Sequence, residues 1–328
     1  MSYFINNILL ILFYKKKLYN LSNYKRGSKL SMHKIFSFFS SFILLLSISF
    51  NSYSDNQFNN INSKFAKYKS DPKVRSAKAM IVNQKSGKVI YQKNAYSEAS
   101  IASLTKLMTA MVIIDSKIDL NKKIKITKQD IDRLKGTGSR IPIGSLITGH
   151  DLLKISLMSS DNRAASALSR NYPSGKKGFI KAMNIKALKL GMHNSKFADP
   201  TGLNKRNKST ARDLVRMVEA AYQYPKIRKI TTTSQETFRI GKRKNEIGFV
   251  NTNRLVRKGT WDIGLSKTGF TRDAGRCLVM QATISNEPVI MIFLNSYGTL
   301  TRFADAQRIR KWIKKESIMN KISQIGVE

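Results

Sequence analysis

The hydrophobic pattern changes period several times along the chain, and each change predicts an element. Alternation over Ala77 to Asn83, a polar turn at Lys85-Ser86-Gly87 and a return through Val89-Ile90-Tyr91 predict a β-hairpin. From about Ser103 to Ser116 the spacing is helical, with Leu104, Leu107, Met108, Met111 and Val112 forming a wide apolar stripe. Thr127 to Leu134 reads as a short helix with Thr127 and Asp130 in a capping box, and 136–149 as loop with short extended pieces. Helical spacing resumes near Asp151, breaks at Ser159-Ser160-Asp161, and continues from Asn162 to Arg170. Phe179 to Leu190 ends at Gly191, as a helix C-terminus does, and Thr210 opens a further helix to about Tyr222. After Thr231 the pattern becomes strand-like over Thr237 to Ile240, Ile263 to Lys267, Cys277 to Ile284 and Val289 to Leu294. A turn at Asn286-Glu287-Pro288 joins the last two, and Phe303 to Lys314 is an amphipathic helix. Hairpin, helical block, strands and helix in that order predict an α+β fold with one mainly antiparallel sheet, flanking helices and a helical subdomain.

The N-terminal segment reads as an address. A short basic start at Met32-His33-Lys34, an apolar run from Ile35 to Phe50 and small residues at Ser52 and Ser54 predict a secretory signal peptide over 32–54. Residues 1–31 read as an upstream extension, against the competing reading of an uncleaved N-terminal anchor. The chain then divides into a linker at 55–76, one main folded domain at 77–315 and a frayed tail at 316–328. The tail's apolar stretch Ile318 to Ile325 is a weak candidate for loose inner-membrane contact. This layout predicts an exported, periplasmic protein.

Charge and rare residues narrow the chemistry. The chain carries a formal charge of +39. Its cations are spread over every segment instead of gathered in one stripe, so no nucleic-acid partner is expected. A non-catalytic binder of anionic wall polymer remains the alternative from a different class. One cysteine, Cys277, and three histidines leave too few ligands for a zinc site and weaken any Ser-His-Asp proposal. Cys277 lies in an apolar strand pattern and reads as a buried small hydrophobe. No Gly-x-Ser-x-Gly elbow is present, which argues against an α/β-hydrolase.

Three short motifs supply the chemistry that remains. Ser103 and Lys106 stand three residues apart on a helical pattern, so they share a face, and the amine can reach the hydroxyl as its base. Ser160-Asp161-Asn162 falls in the helix break, and Lys267-Thr268-Gly269 at a strand end. Each motif alone is cheap in a lysine-rich chain; Ser-x-x-Lys also occurs at Ser70/Lys73 and Ser174/Lys177. One copy of each, in this order and in elements whose ends can face one cleft, is not cheap.

The triplet resembles the signature of penicillin-binding proteins and class A β-lactamases. The resemblance runs from about Ala77 to Lys314 and is closest to the low-molecular-mass serine D-alanyl-D-alanine carboxypeptidase/endopeptidase family. Ala102 to Ala110, Met158 to Ala165, Asn251 to Val256, Trp261 to Thr271 and Ala274 to Met280 carry it, and they point to the murein endopeptidase branch. The resemblance implies the DD-peptidase/β-lactamase-like fold and acyl transfer through a Ser103 ester, with no cofactor. Lys106 would act as base and Ser160 as proton relay. Asn162 would hold the substrate amide, Lys267 and Thr268 would bind the leaving residue's carboxylate, and Gly269 would also line the substrate. The backbone N–H groups of Ser103 and Phe270 would form the oxyanion hole. Arg302 is either a second cation for that carboxylate or a surface arginine at a helix start. Peptidoglycan stem peptides and crosslinks are the implied substrates, and β-lactams the implied covalent inhibitors. Removal of a terminal D-alanine is the alternative activity. A class A β-lactamase is the lesser rival, since none of Glu219, Glu236 and Glu246 has the Glu-x-x-Leu-Asn setting it needs.

Overall fold

A five-stranded antiparallel sheet carries a hydrophobic cluster on each face, because its inner strands hold apolar residues on both sides. The computed structural model describes residues 71–241 and 245–325, with side chains up to 318. The segments expected to be signal peptide (32–54) and upstream extension (1–31), and most of the expected linker, lie outside the described residues.

In chain order, strands β1 (Lys78–Asn83) and β2 (Val89–Lys93) form the N-terminal hairpin, and β3 (Ala99–Ser100) leads to a single 3₁₀ turn at Ala102–Leu104. Helix α1 (Thr105–Asp115) follows, then the small pair β4 (Lys123–Lys125) and β5 (Leu146–Thr148). The helical block continues with α2 (Gly149–Met158), α3 (Asn162–Arg170) and α4 (Gly175–Lys189). After β6 (Lys208–Ser209) it closes with α5 (Ala211–Tyr222) and α6 (Pro225–Thr232). The hairpin β7 (Gln235–Ile240) and β8 (Asn245–Val250) and a short α7 (Arg254–Lys258) precede β9 (Ile263–Thr271), β10 (Gly275–Ile284) and β11 (Glu287–Ser296). Helix α8 (Thr301–Ile325) comes last.

The main sheet has the order β2-β1-β11-β10-β9, so the N-terminal hairpin pairs with the last strand. Side chains alternate across it. Val289, Met291 and Phe293 of β11 pack with Phe303, Ala306, Ile309 and Ile313 of α8. Ile290, Ile292 and Leu294 face the opposite cluster, which holds Leu107 and Met111 of α1 and Leu214 and Val218 of α5. Asp305 of α8 accepts bonds from Arg75 N at 3.0 Å, Ser76 N at 2.7 Å and Ser76 Oγ at 2.6 Å, fastening the start of the domain to its final helix.

Several expectations need correction. Helix α1 is buried from Thr105 to Ile113 on all sides instead of along one stripe, because it runs between the sheet and the other helices. The capping box at Thr127 and Asp130 is present, but it closes only a 3₁₀ turn at Lys128–Asp130. The β10–β11 turn sits at Ser285 and Asn286, both left-handed at φ 51° and 62°, while Glu287 and Pro288 already belong to β11. Two left-handed central residues give the hairpin turn whose twist matches its strands. Lys267 lies in the middle of β9, which runs on to Thr271. The expected frayed tail is helical to Ile325.

Candidate active site

The hydroxyl of Ser103 is placed by backbone geometry that few residues tolerate. Ser103 sits in the 3₁₀ turn ahead of α1, after Ala102 at φ 45°. Gly202, itself at φ 88°, comes so close that a Cβ there would stand 1.9 Å from Ala102 O and 2.8 Å from Ser103 N. From the other side Gly269 of β9 abuts the same amide, and its missing Cβ would meet Ser103 N at 3.1 Å. Two glycines therefore let two backbones converge on the nucleophile segment.

Lys106 begins the second helical position of α1 and is fully buried. Its Nζ lies 2.9 Å from Ser103 Oγ, 2.7 Å from Asn162 Oδ1 and 2.8 Å from Thr201 O. Amide and carbonyl oxygens only accept, so they take two N–H bonds of the amine. The remaining position of the tetrahedral nitrogen faces Ser103. In the ammonium form it donates to the hydroxyl oxygen; in the free amine its lone pair receives the hydroxyl proton. Burial lowers the Lys106 pKa to about 7, against the opposing pull of Asp199, Asp161 and Asp132. The amine can therefore be a free base at neutral pH.

Ser160 is held in the left-handed region at φ 64°, between the end of α2 and the N-cap of α3. Asp161 makes that cap, accepting from Ala164 N at 2.9 Å. A non-glycine residue in this region is strained, and such strain is kept where its surroundings over-determine it. It puts Ser160 Oγ 2.9 Å from Lys267 Nζ. Asn162 follows at the first turn of α3, its Oδ1 on Lys106 and its Nδ2 donating to Thr137 Oγ1 at 2.8 Å.

Lys267 is also buried, and burial, Lys106 and Arg302 together hold its pKa well below the ordinary value. Beside it Thr268 Oγ1 pairs with Thr252 Oγ1 at 2.6 Å. Arg302 is not a surface residue. It is 8 % exposed near the start of α8, and its Nε and Nη1 find no hydrogen-bond partner among the described residues. Burial and Arg276 lower its pKa to about 10. A buried guanidinium with free donors is costly unless an anion completes it. Phe270 points outward, 53 % exposed, with Arg276 over its ring at 4.4 Å.

The structure thus brings Ser103, Lys106, Ser160, Asn162, Lys267 and Thr268 into one connected group, with Gly269 against Ser103 and Arg302 electrostatically coupled to Lys267. Sequence reasoning missed the 199–202 loop. Asp199 accepts from Thr201 N at 2.6 Å, Gly202 N at 2.8 Å and Asn204 N at 2.7 Å, and this fixes the carbonyl that Lys106 uses. Asp-Pro-Thr-Gly is a legible turn, but nothing in it says which amine its carbonyl meets. Cys277 is inert as expected; burial pushes its thiol up to about 11. His150 stands on α2 and belongs to no part of this group.

The family model described as D-alanyl-D-alanine carboxypeptidase, Peptidase S11, matches residues 65–298. The chain belongs to this family. The enzyme is a serine peptidase acting on D-alanyl-D-alanine peptides. It is 46 % identical to the D-alanyl-D-alanine endopeptidase of Pseudomonas aeruginosa over 239 residues, which cover 73 % of this chain and 77 % of that protein. To the endopeptidase of Escherichia coli it is 45 % identical over 250 residues, or 76 % and 81 % of the two chains. Among solved structures, the Streptomyces K15 DD-transpeptidase superposes with a TM-score of 0.69 at 29 % identity, over 74 % of this chain and 98 % of that one.

Proposed function

We propose that this enzyme is a periplasmic endopeptidase that hydrolyses the D-alanyl–diaminopimelyl crosslinks of peptidoglycan through a Ser103 ester. The observation that carries the reading is the Lys106 amine, buried, held by two acceptors and turned toward Ser103 Oγ. Ser103 Oγ attacks the carbonyl carbon of the D-alanyl bond while Lys106 takes its proton. The backbone N–H groups of Ser103 and Phe270 hold the oxyanion, an arrangement in which one donor is worth about 3–4 kcal/mol. Ser160, bonded to Lys267, passes a proton to the leaving amine, and the amine departs. Water then cleaves the ester. Lys267, Thr268 and Arg302 take the carboxylate next to the scissile bond, and Asn162 orients the amide of the acyl part.

Two considerations favour the endopeptidase over removal of a terminal D-alanine. The 45–46 % relatives carry the endopeptidase name, whereas the Bacillus subtilis carboxypeptidase DacF is 30 % identical. The sequence runs that carry the resemblance are those of the endopeptidase branch. Penicillin is expected to remain as a stable ester, since no glutamate between Ser160 and Lys267 hydrogen-bonds a residue of the site among the described residues. Glu236 pairs with Lys154 at 2.5 Å and Glu246 with Arg239 at 3.2 Å, while Glu219 stands on α5, where burial raises its pKa against the opposing pull of Arg216 and Arg212. Export through the 32–54 segment completes the proposal.

Purified enzyme incubated with crosslinked muropeptides and with pentapeptide monomers tests the reading. Cleavage of the dimer is the expected result. Dominant release of D-alanine without dimer cleavage would make it a carboxypeptidase, and rapid turnover of penicillin would make it a β-lactamase.

A further inference from the structure

The cleft carries another cation that the chemistry at Ser103 leaves unused. A cavity of about 440 Å³ adjoins Ser160 and Asn162, and Ser139, Arg140 and Phe249 build its other wall. Lys267, Thr268 and Arg302 do not line it; it lies on the other side of Ser160, whose Oγ is 2.9 Å from Lys267 Nζ. The Arg140 guanidinium carbon stands 4.5 Å from the centre of the Phe249 ring. That ring is itself fixed, 2 % exposed and edge-on to Phe238 at 5.6 Å between centroids. A guanidinium resting on an aromatic face keeps its in-plane N–H groups free to fork onto a carboxylate.

No ion pair among the described residues uses Arg140. The acid nearest in the cavity wall, Asp161, already has one oxygen on the α3 cap. The loop that presents Arg140 is also anchored. Thr137 Oγ1 accepts from Asn162 Nδ2 at 2.8 Å, Ser139 Oγ accepts from Ile141 N at 3.1 Å, and Arg163 donates to Ile141 O. Arg140 is exposed, but its stacking on the buried Phe249 ring and its anchored loop hold the donor fork over the cavity beside the acyl-holding Asn162, as a recognition element requires.

We propose that Arg140 selects substrate by binding a free carboxylate of the stem peptide, on the acyl side of the scissile bond. The inference rests on the DD-peptidase reading above, in which Lys267, Thr268 and Arg302 take the leaving residue's carboxylate and Asn162 the acyl amide. Two carboxylates of the acyl stem have this chemistry, one on its glutamyl residue and one on its diamino acid.

The test compares crosslinked muropeptide dimers with both carboxylates free, with the glutamyl carboxylate amidated, and with the diamino-acid carboxylate amidated. The wild-type enzyme is expected to lose about tenfold in kcat/KM, mostly through KM, when one particular carboxylate is amidated, as charge-assisted hydrogen bonds of this kind are worth. That arm identifies which carboxylate is bound. Arg140→Gln should respond to amidation by less than about twofold, and Arg140→Lys should keep part of the preference. A structural role would slow all three dimers equally and leave the ratios unchanged, which would overturn the proposal, as would a wild-type enzyme indifferent to both amidations. If the glutamine variant fails to fold, the wild-type ratios and the lysine variant decide. If wild type cleaves no dimer but releases D-alanine, the endopeptidase reading fails separately, and the same amidation series on pentapeptides judges Arg140.

Discussion

At the scale of single residues, the account turns on two buried lysines and a buried arginine. Lys106 is useful because burial brings its pKa to about 7. Acylation of Ser103 by penicillin should therefore rise with pH through a midpoint near 7 and level off above it. A stopped-flow pH series checks this, and a flat profile from pH 5 to 9 would remove Lys106 as the base. The same shift has a consequence for stability. Between about 7 and the ordinary 10.5 the unfolded lysine binds more protons than the folded one, so this group's contribution to stability rises with pH across that window. Arg302 has no hydrogen-bond partner for two of its nitrogens among the described residues. Arg302→Ala should raise KM for peptide substrates roughly ten- to a hundredfold, the worth of a charge-assisted contact, with a smaller effect on kcat. Steady-state kinetics on the crosslinked dimer measures the split; an unchanged KM would return Arg302 to the role of a helix-start residue.

At the scale of elements, the site exists because helix ends, a 3₁₀ turn and a strand approach one another without intervening side chains. Gly202 is the tightest of these approaches. Gly202→Ala would force Ala102 and Ser103 apart, and a displacement near 1 Å should cost about a hundredfold in acylation rate. Penicillin-acylation kinetics on variant confirmed folded by circular dichroism checks this, and a wild-type rate would show that the turn relaxes freely. Much of the element pattern was legible. The α2–α3 break at Ser159-Ser160-Asp161 and the helix opening at Thr210 are local signals, and the structure puts the helix starts at Asn162 and Ala211, with Asp161 as the cap of the first. What escaped depends on context. Helix α6 (Pro225–Thr232) has Pro225 in its first turn, yet its apolar positions are few, and β8 is a mostly exposed strand with no buried alternation to announce it. Lys267 looked like a strand end because a lysine interrupts the apolar pattern, whereas the edge strand β9 continues through it to Thr271 and buries it. The carbonyl of Thr201 reaches Lys106 across 95 positions of sequence, a distance no local rule spans.

At the scale of the molecule, the α+β arrangement was legible from element order, while the closure of the sheet by its two chain ends was not. β1 pairs with β11, and Asp305 ties Arg75 and Ser76 to α8. Asp305→Ala strands the buried Ser76 N–H, at about 1–3 kcal/mol, and also removes the bonds from Ser76 Oγ and Arg75 N. Urea unfolding should show a loss of at least about 2 kcal/mol. An unchanged midpoint would mean that this clasp contributes nothing. The strong positive charge remains spread over the molecule and is no guide to the chemistry; the cations that matter are the few that are buried or stacked in the cleft.

The most direct measurement is labelling with fluorescent penicillin, followed by mapping of the modified peptide in wild type and in Ser103→Ala. The label should fall on Ser103, in the peptide that carries Lys106, and should vanish in the variant while its circular dichroism stays that of the wild type. A label on any other residue, or one that survives in folded Ser103→Ala, would contradict the account.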